Sequence, residues 1–153
     1  MIGSSYFGSR SFAAALLQMK RPKFALVRIA YAIYILAFAV GTSTHWVDIL
    51  SNGWKSCREC ALAANLYWLA LAFIDPAAIL LLLIRPIWGL RLAQVVMLTD
   101  VAVNVVVGIV DFRAFGIWTM QGLYFQVPFS VFLFATAPFV SVRIKAFLAD
   151  QIP

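Results

Sequence analysis

Residues 61–91 read ALAANLYWLALAFIDPAAILLLLIRPIWGLR, and this stretch decides the fold. Its part up to Ile84 is almost entirely apolar and long enough to cross the roughly 30 Å hydrocarbon core of a bilayer as a helix. Arg85 and Pro86 interrupt that run, and a second apolar run begins at once. Helix is the expected structure in lipid, because its backbone polar groups satisfy one another. The stretch therefore predicts two antiparallel transmembrane helices joined by a tight turn.

The composition of the whole chain also indicates a membrane protein. Of its 153 residues, 64% are hydrophobic and 12% are charged, whereas a soluble domain is nearer half apolar and a quarter charged. A soluble domain of this length has too much surface to bury so many apolar side chains. The net charge of +6 is compatible with nucleic-acid binding, but the basic residues stand at the ends of apolar runs, as membrane topology requires. The chain is therefore interpreted as one membrane domain, and nucleic acid is disfavoured as a partner.

Four apolar runs predict four spans, at about 24–40, 61–84, 87–110 and 123–142. The predicted fold is all-α, an integral membrane four-helix bundle with up-down-up-down order. Residues 1–23 are predicted to be a short amphipathic segment on the inner leaflet, or else a disordered leader. Nine of the twelve Lys and Arg residues fall on the side that holds both termini. By the positive-inside rule both termini are cytoplasmic, and the predicted location is the bacterial inner membrane.

Polar side chains inside the predicted spans form the first candidate site. Asp75 and Asp100 lie about 15 Å and about 20 Å from the same end of the second and third spans, at 1.5 Å per residue. The two carboxyl groups are therefore expected to meet near mid-membrane, where ionisable groups face the bundle interior or water. We expect at least one of them to be protonated, because desolvation and mutual repulsion disfavour the charged form. The predicted polar seam comprises Asn65, Asp75, Asp100, Asn104, Gln126 and Ser130.

The seam has two interpretations. One is a pocket that handles a ligand or a proton. The other is structural, with hydrogen bonds between helices that contribute about 0.6 kcal/mol each on average.

The second candidate site is the polar stretch THWVDILSNGWKSCREC at residues 44–60, which lies in the outer loop predicted at 42–60. Cys57 and Cys60 are the only cysteines, and the predicted topology places them in an oxidising compartment, where such a pair can form a disulfide. His45, Asp48 and the two cysteines are also plausible ligands for zinc or copper. Three hypotheses follow: a structural disulfide or incidental thiols, a redox centre, and a metal site.

The cysteine pair carries a resemblance to a redox family. A C-x-x-C at the outer start of the second of four spans, with inward termini, resembles the quinone-coupled thiol oxidase family represented by DsbB. The resemblance implies thiol–disulfide exchange at Cys57 and Cys60 with a quinone as cofactor. The chain departs from that family in one respect, because DFRAFGIWTMQG at residues 111–122 lacks the family's second cysteine pair.

A second resemblance concerns the middle of the chain. DPAAILLLLIRPIWGL at residues 75–90, followed by LAQVVMLTDVAVN at residues 92–104, resembles a group of uncharacterised small four-span bacterial inner-membrane proteins. The resemblance implies a topology and no particular chemistry.

Together these features predict a non-catalytic protein that acts by binding through its polar seam. The expected partners are membrane lipid and a membrane protein, a lipid-like ligand or a toxin, as for small immunity proteins. No motif for phosphate binding, a serine nucleophile or a zinc protease is present. Thiol–disulfide redox at Cys57 and Cys60 is the first alternative. Proton-linked transport through Asp75 and Asp100 is the second, and it would require more helices or a homo-oligomer. No cofactor is predicted, except a quinone or a metal under the alternatives.

Overall fold

The computed structural model describes residues 24–54, 61–118 and 122–150. They form four helices, which are α1 (Ala25–Asn52), α2 (Leu62–Ile84), α3 (Pro86–Phe115) and α4 (Leu123–Ala149). Each helix packs against the next along the chain, and α1 also packs against α4, which closes the bundle. All four helices are long and apolar enough to cross a membrane. The predicted all-α four-helix bundle is thus confirmed, and the chain is a multi-pass membrane protein. The predicted amphipathic segment at 1–23 lies outside the described residues.

The outer surface of the bundle is as apolar as its core. Outward-facing side chains that are more than half exposed occur on every helix, among them Leu36, Leu66, Phe73, Leu98 and Val131. Such a surface is stable in hydrocarbon and costly in water. The core contains side chains from all four helices that are fully buried, among them Val27, Tyr34, Leu82, Ala93 and Leu133.

The turn between α2 and α3 is as tight as the sequence predicts. The Arg85 N–H donates to the Leu81 carbonyl at 2.7 Å, and Pro86 is the first residue of α3. Proline is well suited to that position, where a helix needs no backbone donor. We call this end of the bundle the turn end and the opposite end the far end. The turn end also holds the start of α1, because the Tyr31 hydroxyl donates to the Pro86 carbonyl at 3.3 Å.

The first helix is longer than predicted. The apolar run suggested a span at about 24–40, but α1 continues to Asn52. The hydroxyl groups of Thr42, Ser43 and Thr44 donate to backbone carbonyls one turn earlier on the same helix, at 2.8 Å each. These polar side chains are therefore satisfied within the helix and do not end it. The third and fourth helices also extend beyond their predicted ends.

The actual end of α1 is at Gly53. Its φ of 70° lies in the left-handed region that glycine adopts most readily, and its N–H donates to the Ile49 carbonyl at 2.8 Å. His45 and Asp48, which were expected in an outer loop, therefore lie in α1. That expectation was wrong because a change in polarity was taken as a helix end.

A partly buried hydrogen bond links α1 to α4. The Tyr34 hydroxyl lies 2.6 Å from Thr136 Oγ1, and Thr136 donates its own proton to the Phe132 carbonyl at 2.6 Å. Tyr34 is therefore the donor between the helices. We expect Tyr34→Phe to lower the free energy of unfolding by about 0.6 kcal/mol, the average for such bonds in membrane bundles. Detergent-denaturation curves would measure the change, with Tyr124→Phe as the control because Tyr124 is 74% exposed. Equal effects of the two variants would contradict this role for Tyr34.

Candidate functional site

Asp75 on α2 lies against the backbone of α1 at Gly41. The residue is only 5% exposed. A Cβ atom at Gly41 would come within 2.6 Å of Asp75 Oδ2, so the carboxyl group occupies space that exists only because residue 41 is a glycine. One turn further along α1, His45 Nε2 lies 4.0 Å from the same oxygen. That distance suits an ion pair when the imidazole is protonated, and it is too long for a direct hydrogen bond.

Asp100 on α3 is held in place by its own helix. Asn104 Nδ2 donates to the Asp100 backbone carbonyl at 2.8 Å and to Asp100 Oδ1 at 2.9 Å. Both residues are 7% exposed. Asp75 and Asp100 are both buried on neighbouring helices, and their carboxyl groups interact electrostatically. The two acidic residues that the helix rise placed at similar depth therefore lie in the same region of the bundle interior.

Tyr67 on α2 lies beside this acidic pair. Its hydroxyl is 2.9 Å from Thr99 Oγ1, and it interacts electrostatically with both Asp75 and Asp100. Thr99 donates to backbone carbonyls of its own helix, so Tyr67 is the donor to Thr99. Tyr67 thus interacts with both acidic residues, whereas His45 lies next to Asp75.

A cavity of about 370 Å³ lies between α1, α3 and α4, next to the acidic pair. We call it the seam cavity. Its volume falls in the range of roughly 300–1,000 Å³ that is usual for small-molecule sites. The polar groups in its lining come from three helices, and they are Thr44, His45, Asp100 and Gln126. The remaining walls are mostly apolar, which is the usual composition of a site for a hydrophobic ligand.

Gln126, near the start of α4, has a buried side-chain oxygen, Oε1, that lacks a hydrogen-bond partner among the described residues. Leaving a buried acceptor unpaired costs roughly 1–3 kcal/mol, and native proteins generally avoid it. Gln126 lines the seam cavity, so a rotation of its side-chain amide would present this oxygen to a hydrogen-bond donor bound there and would remove the cost.

The seam cavity opens sideways, between α1 and α4. The contact between these two helices is the least extensive of the four pairs that build the bundle. Val40 on α1 and Phe125 on α4 both line the cavity, and they are 63% and 82% exposed. The polar lining is therefore reached past exposed apolar side chains of α1 and α4.

The other residues of the predicted seam lie apart from this cavity. Asn65 is buried near the far end, where its Nδ2 donates to the Trp54 carbonyl at 3.0 Å and ties the end of α1 to α2. Ser130 is on α4, one turn after Gln126, and does not belong to the cavity lining. Sequence reasoning missed Gly41 and the place of His45. Gly41 and His45 are four residues apart, and residues four apart lie on the same face of a helix. Their sequence spacing would therefore have predicted that they lie together, had α1 been predicted to continue past residue 40.

Of the four residues in the predicted metal and redox sites, the structure describes His45 and Asp48. His45 and Asp48 share α1, but Asp48 is exposed whereas His45 reaches toward Asp75. Cys57 and Cys60 lie outside the described residues, so the redox and metal hypotheses stay predictions. Among residues 24–54, 61–118 and 122–150, no group of three or more histidine, cysteine or acidic side chains is placed to hold a metal ion.

The whole chain was compared with protein-family models, with curated proteins and with solved structures. No protein-family model, curated protein or solved structure matches it. The function is therefore argued from the chemistry of the seam cavity.

Proposed function

We propose that this chain is a non-catalytic inner-membrane protein, with both termini cytoplasmic, that binds a lipid-like ligand in the seam cavity. The observation that carries the proposal is Gln126, which lines a cavity flanked by exposed apolar side chains and whose buried Oε1 atom has no hydrogen-bond partner among the described residues. A ligand that donates a hydrogen bond to this atom would be favoured over lipid tails, which have no donor to offer.

The polar lining defines the head group of the ligand. Gln126 Oε1 accepts hydrogen bonds, and so does the carboxyl group of Asp100. Asn104 already uses its side-chain amide for Asp100. A hydroxyl or amino head group therefore fits because it can donate a hydrogen bond to these oxygens, whereas an ionised carboxylate has no hydrogen to donate. A single long alkyl chain would extend past Phe125 into the membrane.

The same lining favours binding over covalent catalysis. The described lining contains no serine, cysteine or lysine, the side chains that most often act as nucleophiles. Its one hydroxyl group belongs to Thr44 and donates to the Gly41 carbonyl at 2.8 Å. The polar atoms are thus positioned to hold a head group, and binding is the activity they best support.

The test is photolabelling of the protein in phosphatidylcholine nanodiscs with a long-chain amino alcohol that carries a diazirine in its chain. We expect saturable labelling that maps to peptides of α1 and α4. Gln126→Leu removes the buried acceptor with little change in volume. It is expected to weaken the apparent affinity about tenfold, which corresponds to the loss of roughly 1.4 kcal/mol.

The matched control is Ser130→Ala, one turn further along α4 and outside the cavity lining, which should label like the wild type. A fatty acid with the same diazirine should label weakly, because its ionised carboxylate has no hydrogen to donate to Gln126 Oε1. Labelling that does not saturate, or that Gln126→Leu leaves unchanged, would refute the proposal.

A further inference from the structure

A second cavity lies at the turn end, on the side of the bundle formed by α3 and α4. It has a volume of about 190 Å³, and the two basic side chains in its lining are Arg91 of α3 and Lys145 of α4. Gln94 adds a side-chain amide, and buried Leu90 and Ala137 form an apolar floor. We call this cavity the basic crevice. It does not share any lining residue with the seam cavity, so the two sites can be tested separately.

The basic crevice carries unbalanced positive charge. No acidic residue belongs to its described lining, and neither Arg91 nor Lys145 forms an ion pair with any acidic residue that the structure describes. The Arg91 guanidinium instead lies 5.2 Å from the centre of the Trp88 ring. This cation–π contact restricts the guanidinium group but leaves its N–H donors available. Two unpaired bases that face one cavity form a ready site for an anion.

The position of the crevice along the helices indicates the type of anion. Arg91 comes five residues after Pro86, and Lys145 comes four residues before Ala149, so both lie within roughly 8 Å of a helix end at 1.5 Å per residue. Trp88 at the same level is 60% exposed, as is usual for tryptophan at a membrane interface. The charges are therefore placed at the depth of phospholipid head groups, and the floor beneath them is apolar.

We propose that the basic crevice binds the phosphate group of an anionic phospholipid, with the glycerol and the start of an acyl chain on its apolar floor. Arg91 and Lys145 hold the phosphate from two different helices, and Gln94 supplies a further donor. Basic pockets between transmembrane helices commonly select such lipids, chiefly by charge. Binding would also connect α3 to α4 at the turn end, where the phosphate bridges them.

The experiment measures lipid binding by native mass spectrometry of the full chain, with phosphatidylglycerol, phosphatidylcholine and inorganic phosphate as probes. The wild type is expected to prefer phosphatidylglycerol over phosphatidylcholine. The double variant Arg91→Gln/Lys145→Gln should lose about thirtyfold in affinity for phosphatidylglycerol, since each basic group near the surface contributes on the order of 1 kcal/mol.

The control is the single variant Arg143→Gln. It removes one positive charge from the same end of α4 as Lys145, at a residue that does not line the basic crevice. The Arg143 guanidinium lies over the Phe139 ring at 5.4 Å and does not line the crevice. We expect less than a twofold effect. If each single variant, Arg91→Gln, Lys145→Gln and Arg143→Gln, weakens binding equally, general surface charge is responsible and the proposal fails. It fails equally if inorganic phosphate competes as well as the lipid, or if no preference for phosphatidylglycerol is found.

Discussion

Replacing Gly89 with alanine is expected to destabilise the bundle more than any other single methyl addition at a described glycine. A Cβ atom at this position would clash with the Leu82 backbone nitrogen and would lie 2.6 Å from both Leu81 C and Leu82 Cα. These are backbone atoms of α2, and they cannot move without separating α2 from α3. The close approach of the two helices therefore depends on the missing side chain, as is usual where membrane helices cross at a small residue.

The expected cost of Gly89→Ala is about 3 kcal/mol, at the upper end of what an overpacked methyl group costs. Detergent-denaturation curves and the fraction of monodisperse protein after extraction would both report it. Gly122→Ala is the matched control, because a Cβ atom there would meet nothing closer than 3.6 Å. If the two variants are equally stable, α2 and α3 do not cross at Gly89.

The hairpin around Gly89 is also where sequence reasoning was most successful. The apolar run, the Arg85–Pro86 break and the second run predicted two antiparallel helices, and α2 and α3 begin and end within a few residues of the expected positions, except at the far end of α3. The reason is physical. Lipid allows very few backbone structures, and a helix has a constant rise, so length and depth follow from residue counts. The same arithmetic placed Asp75 and Asp100 at similar depth, and both are buried in the bundle and interact electrostatically.

The features that sequence reasoning missed depend on individual side chains. The end of α1 was misplaced because hydropathy does not register that hydroxyl groups can bond within a helix. As a result His45 was treated as a loop residue. The sequence could not predict the unpaired oxygen of Gln126, because whether a buried polar atom finds a hydrogen-bond partner depends on all the atoms packed around it. The basic crevice requires knowledge of which faces of α3 and α4 meet, and apolar runs of nearly uniform composition do not reveal that.

Gly41→Ala is the variant expected to impair ligand binding most selectively. The added methyl group would come within 2.6 Å of Asp75 Oδ2, so the carboxyl group must turn away from α1. Only the end of a side chain has to move, and the fold should therefore remain intact. His45 lines the seam cavity and would lose the carboxyl group that lies 4.0 Å from its Nε2 atom. Gly41 also lines the cavity, so the methyl group narrows it at the same point.

We expect Gly41→Ala to weaken labelling by the long-chain amino alcohol about fivefold, equivalent to roughly 1 kcal/mol, with an unchanged denaturation curve. A double-mutant cycle with Asp75→Ala separates the two causes, because contacting residues show non-additive effects. If displacement of the carboxyl group is responsible, Asp75→Ala should weaken binding in the wild type but have little further effect beside Gly41→Ala. Full additivity would mean that Gly41 and Asp75 act independently. Asp75 would then have no part in positioning His45 for the ligand.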